Sequence, residues 1–193
     1  MNTFNYKKSV QALNYLAVLE GGAINYMKAL KLIWLSDRYH LRNHGRTITG
    51  DKYFALKNGP VASFTKDIII KKHITEEQSE YSATFVRVNG YALSTISAPN
   101  INVFSQKELE VINTVYESYK NMTEFEISEF SHNFPEWKQY EEKIKRTGSS
   151  YVIDMNLFFE NFKDNTNLFV NDKEELAEMK SYQQTFFPSF GVV

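Results

Sequence analysis

Large apolar residues recur every three to four positions over most of this chain, the spacing that gives a helix one buried face. Residues 6–20 place Val10, Leu13, Leu16 and Ala17 on one side, and Gly21-Gly22 ends the run. From Ile24 the pattern grows denser. Tyr26, Leu30, Ile33, Trp34 and Leu41 share a face that Met27, Leu32 and Leu35 widen, so this helix is predicted to be central. Gly45 stands where a left-handed residue would close it, and the short link predicts antiparallel packing of the two helices. Beyond it, Thr49-Gly50-Asp51 and Asn58-Gly59-Pro60 read as turns around an extended piece at Tyr53–Lys57, followed by a helix from Val61 to about Lys72.

The period changes at residues 83–96, where two β-rich runs flank Asn89-Gly90. That dipeptide predicts a type I′ hairpin. A lone hairpin is marginal, and Tyr53–Lys57 is the expected third strand. Helical signals then resume. Ser105 with Glu108, and Thr123 with Glu126, are capping boxes, and Pro135 suits a first helical turn. The Thr147–Ser150 stretch breaks that helix, Asp154 caps a segment carrying Leu157, Phe158 and Phe162, and residues 173–186 form a last helix after a loop at 163–172. The fold class is therefore α+β and predominantly helical, with a small antiparallel hairpin or three-stranded element. Residues 1–149 read as one helical domain, and 150–193 as a helical extension packed on it. The apolar tail, with Phe186, Phe187 and Phe190, is expected to fold back into a groove or to anchor a partner; Tyr91, at the hairpin turn, is a further partner-binding candidate.

With 193 residues the chain can form a core without a metal or disulfide, and it has no cysteine. That removes thiolate nucleophiles and cysteine-based zinc sites, and agrees with a cytoplasmic location. No stretch approaches the ~20 apolar residues of a membrane span. The net charge of -1 hides an imbalance: residues 1–73 hold twelve Lys or Arg against four Asp or Glu, and residues 74–193 hold ten against nineteen. Two halves of one domain attracting each other, a steered protein partner, or a nucleic acid would each explain it. Nucleic acid is disfavoured because the basic residues are dispersed. The twelve tyrosines and fifteen phenylalanines exceed what a core of this size needs, which favours a protein interface.

Candidate chemistry concentrates on the central helix. Asp37, His40 and His44 lie at i, i+3 and i+7, a spacing that could hold a metal or make His40 a general base oriented by Asp37. The chain has no H-E-x-x-H motif or nucleophile elbow, and Lys57-Asn58-Gly59-Pro60 does not match a P-loop. No metal, cofactor or catalytic residue is assigned. The expected role is a buried network holding the Thr47–Asp51 loop, with Asp37 paired to Arg38 or Arg42. His132 and Trp137 are expected to pack together at a corner.

The block Lys31 to Ser63 resembles the signature of the Panacea domain, the SocA-like antitoxin or phage-associated GepA-like family. Gly45, Ile48, Thr49, Gly50, Asp51, Tyr53, Ala55, Gly59, Pro60 and Val61 match it. The stretch Ile127–His132 with Trp137 is similar to the family's second motif, and Thr47 departs from the common proline. The resemblance covers about residues 8–145. It implies a mainly helical, non-enzymatic protein that neutralises a cognate toxin by direct contact, in one branch as an adaptor to a protease, in a prophage or toxin–antitoxin setting. Self-association is a further expectation for how the chain interacts. The competing reading is a small-ligand-binding or hydrolytic enzyme using Asp37, His40 and Asp51.

Overall fold

The central helix α2 (Tyr26–His44) is closed by Gly45 in the left-handed region, and fourteen of its nineteen residues are buried. So much burial leaves no solvent face, and its polar side chains must find partners inside the protein. The computed structural model describes residues 4–187. Around α2 lie α1 (Tyr6–Leu19), α3 (Ser63–Ile70), α4 (Glu76–Phe85), α5 (Gln106–Tyr119), α6 (Glu124–Ser131), α7 (Pro135–Lys138), α8 (Glu141–Thr147) and α9 (Lys173–Phe186). Helices α1, α5, α6 and α9 all pack directly on α2. The fold is α+β and mostly helical, with two small antiparallel sheets. Among the described residues no helix is long and apolar enough to cross a membrane.

Local signals explain most boundaries. Both expected capping boxes are formed, at Ser105–Glu108 and Thr123–Glu126, Pro135 opens α7, and Asp154 caps a short 3-10 turn at Met155–Phe159. Helix α4 is an addition. It uses a third capping box, Thr75–Gln78, and takes in Ala83–Phe85, which read as strand. The final helix ends at Phe186, so Phe190 and any fold-back of the tail lie outside the described residues.

The strands are paired differently from the expectation. The hairpin of β4 (Val86–Asn89) and β5 (Ala92–Thr95) takes as its third strand β1 (Ala23–Asn25), the three residues before the central helix. The piece β2 (Tyr53–Leu56) belongs to a second sheet, between β3 (Gly59–Ala62) and β6 (Tyr151–Val152). Pro60 had suggested a turn, but β3 is an edge strand, where a residue without an N–H is tolerated. The helix expected from Val61 accordingly begins only at Ser63. The β4–β5 register pairs Asn89 with Ala92, leaving Gly90-Tyr91 as the loop. Gly90 has φ 58° and Tyr91 is not in the positive-φ region, the glycine-first pattern of a type II′ turn rather than type I′.

The split charge is drawn together within the fold. Glu108, fully buried on α5, accepts from Lys8 at 2.6 Å and Arg46 at 2.7 Å. Burial raises its pKa, but Lys8, the Ser105 amide and Arg46 outweigh burial and hold it below the ordinary glutamate value. Arg38 pairs with buried Glu136 of α7 at 2.8 Å. Basic side chains of the first half thus find acidic partners in the second.

Candidate functional site

Asp37 lies on the side of α2 facing the loop that follows it. Its carboxylate accepts the amides of Ile48 (2.7 Å) and Thr49 (3.1 Å), the Tyr53 hydroxyl (2.5 Å) and the Thr49 hydroxyl. Burial raises the Asp37 pKa, and these donors oppose the rise. Thr47 uses its hydroxyl to accept Gly50 N–H at 3.1 Å and so secures the same turn. The expected network around the Thr47–Asp51 loop is therefore present.

Its composition differs in one respect: neither Arg38 nor Arg42 pairs with Asp37. Adjacent helix positions point about 100° apart, so Arg38 and Arg42 share a different face. Arg38 stacks between Phe134 and Phe169, 5.1 and 4.7 Å from the ring centroids, while bonding Glu136. Arg42 donates to the carbonyls of Phe158, Glu160 and Phe169 and to Asn161 and Asn171. It ties the C-terminal segment to the central helix, a role that no sequence motif signalled.

Asp51 works on another element. It accepts Phe64 N–H (2.9 Å), Thr65 N–H (2.8 Å) and the Thr65 hydroxyl (2.6 Å), so it caps α3 from a distance in sequence. Burial pushes its pKa up to about 7, against the bonds from Thr65 and Phe64. His40 turns to the Arg46 carbonyl at 2.7 Å, with its ring 4.6 Å from that of His44. Burial pulls His40 down to about 4, far from the value near 7 that suits a general base. Asp37, His40 and Asp51 thus serve three separate segments. The space beside Asp37 and Thr49 is about 10 Å³, enough for at most one water and far below a substrate pocket. No group of three or more His, Asp or Glu suited to a metal exists among the described residues.

The second motif closes over the β2–β3 turn. Trp137 donates to Leu56 O at 2.7 Å and stacks on His132 at 4.0 Å, as expected for a packed corner. Ser128 donates to Asn58 O at 2.8 Å. Gly59 lies so close to Ser131 and Lys31 that an added Cβ would stand 2.0 Å from Ser131 Oγ. Lys57 itself is exposed. Gly45 is covered by Tyr182, on which the rings of Phe186 and Phe187 also pack at 4.8 and 6.0 Å.

Lys31 was not singled out from the sequence, where a lysine on an apolar helix reads as solvated. It is 3% exposed and donates to Asn58 O (2.6 Å) and Pro60 O (2.7 Å), covering the open edge of β3. Burial lowers its pKa from 10.5 to about 7. A neutral amine keeps two N–H groups, so both bonds survive deprotonation. Between pH 7 and 10.5 the unfolded chain therefore binds more protons than the native one, and stability rises with pH. His132, also lowered by burial, stays neutral throughout that window. From pH 7 to about 9.5, urea unfolding should show the wild type gaining on the order of 2–3 kcal/mol relative to Lys31→Met. Parallel pH profiles for the two proteins would mean that the ammonium keeps its solvation.

No curated protein and no solved structure matches the chain significantly. The family model described as "Antitoxin SocA-like, Panacea domain" matches residues 30–138, from within α2 through Trp137 to the end of α7. These residues include both motif blocks and the contacts between them, and the match spans more than half of the sequence: the chain belongs to the SocA-like Panacea domain family.

Proposed function

We propose that this protein is a cytoplasmic antitoxin that neutralises a cognate toxin by direct protein–protein contact and is not itself an enzyme. Delivery of the bound toxin to a protease is compatible with the same contact. The observation that carries this reading is how the family signature is used. Asp37, Thr49, Asp51, Tyr53, Gly59 and Trp137 are committed to bonds or contacts within the fold, with no substrate-sized space beside Asp37. A signature that builds a scaffold leaves function to the surface, as an interaction protein requires. Aromatic residues remain exposed there, including Tyr91, Phe125 and Phe186.

Co-expression with the product of the neighbouring gene tests the proposal. Growth rescue together with a stable co-purifying complex is the expected result. A toxic neighbour that is expressed, neither bound nor neutralised, would refute it.

A further inference from the structure

A cleft of about 260 Å³ lies where the N-terminal half of α2, the β2–β3 turn, α3 and the β4–β5 turn meet. Lys31 lines it, with Lys57 and Lys66 beside it, and no Asp or Glu is among its lining residues. The other buried lysine of α2, Lys28, pairs with Glu20 at 2.6 Å, whereas Lys31 meets only neutral carbonyls. Among the described residues none of the three cleft lysines forms a salt bridge. Lys57 and Lys66 give the cleft a positive charge that no lining carboxylate offsets, and a carboxylate entering from a partner supplies the missing counter-charge.

The remaining lining is apolar and aromatic. Tyr26 stacks on Tyr91 at 5.4 Å, Tyr91 is 61% exposed, and Leu30 lies in the lining beside them. Such a surface covers an apolar side chain, while the lysines fix the carboxylates next to it.

We propose that this cleft is the toxin-docking site, and that it takes an acidic segment of the toxin carrying an aromatic or aliphatic side chain beside one or more carboxylates. The assignment rests on the antitoxin reading and adds to it the surface used and the chemistry of the partner. Burial leaves Lys31 easily deprotonated when the cleft is empty, and a bound carboxylate favours its charged form, whose third N–H is then available.

The test is charge reversal on the rim, Lys57→Glu with Lys66→Glu, which spares buried Lys31. The doubly substituted protein should keep the wild-type melting temperature and oligomeric state. It should bind the purified toxin at least about a hundredfold more weakly and lose growth rescue. Undiminished toxin binding and rescue by the variant would overturn the cleft assignment and leave the antitoxin reading standing. A wild type that binds no toxin would overturn that reading. The cleft would then be judged by a labelled peptide with glutamates flanking a phenylalanine and a leucine. Saturable binding to the wild type, lost in the variant and with the glutamine analogue, sustains it; equal binding to both proteins, or none, overturns it. Conversion of a dimer to a monomer by the substitutions would give the cleft to a second copy and overturn the toxin assignment.

Discussion

Asp37→Ala is expected to destabilise the protein by about 3–5 kcal/mol, a large share of the roughly 5–15 kcal/mol that keeps an ordinary domain folded. The carboxylate is fully buried and accepts four donors, two from backbone and two from hydroxyls. Alanine leaves the Ile48 and Thr49 amides without their side-chain acceptor inside the core. Asp37→Asn separates charge from geometry. Its amide oxygen can keep the two backbone bonds, and its NH2 group can donate to Thr49 and Tyr53 if their hydroxyls rotate. The asparagine variant should therefore lose only about 1–2 kcal/mol. Urea denaturation of both variants, alongside co-expression with the toxin, distinguishes scaffold from site. Unchanged stability in Asp37→Ala with lost rescue would make the network functional, contrary to the structural role assigned here.

The sequence revealed this network through its residue types and not through its pairing. Aspartate, threonine, glycine and tyrosine close together after a helix point to a hydrogen-bonded turn, and that turn is where Asp37 acts. The arginines looked like natural partners for Asp37 because one dimension shows proximity and not direction. Three-dimensional direction gives Arg38 to Glu136, 98 residues away, and Arg42 to the carbonyls that follow Phe158. The helix stop at Gly45 and the starts at Ser105 and Thr123 were legible because capping residues and left-handed glycines are local devices. Strand partners were not, because β1 has three residues and β6 two, too short for any alternation to show. Lys31 was invisible for a related reason: its meaning depends on the open edge of β3, and β3 itself was hidden by Pro60. The cleft draws its lysines from α2, the β2–β3 turn and α3, and only the fold brings them together.

Gly59→Ala should be about as damaging as Asp37→Ala, and by a different cause. Gly59 has φ 94°, a conformation strained for any residue with a Cβ, at a cost of about 1–2 kcal/mol. The new methyl would stand 2.0 Å from Ser131 Oγ and 2.6 Å from Lys31 Nζ. Lysine ends usually move aside, but this one is pinned between the carbonyls of Asn58 and Pro60. Ser131 is fully buried and its hydroxyl is bonded to Ser128 O. Relief thus requires breaking a bond or separating the β2–β3 turn from α6, and the total loss should exceed about 3 kcal/mol. Ser131→Ala removes the closest atom, leaving Ser131 Cβ at 3.3 Å, and should cost only about 1 kcal/mol alone. Combined with Gly59→Ala it should recover part of the loss, giving a coupling energy of at least about 1 kcal/mol in a double-mutant cycle of urea midpoints. Strict additivity would mean that backbone strain and the Lys31 contact, and not the close approach of Ser131, make glycine necessary at this position.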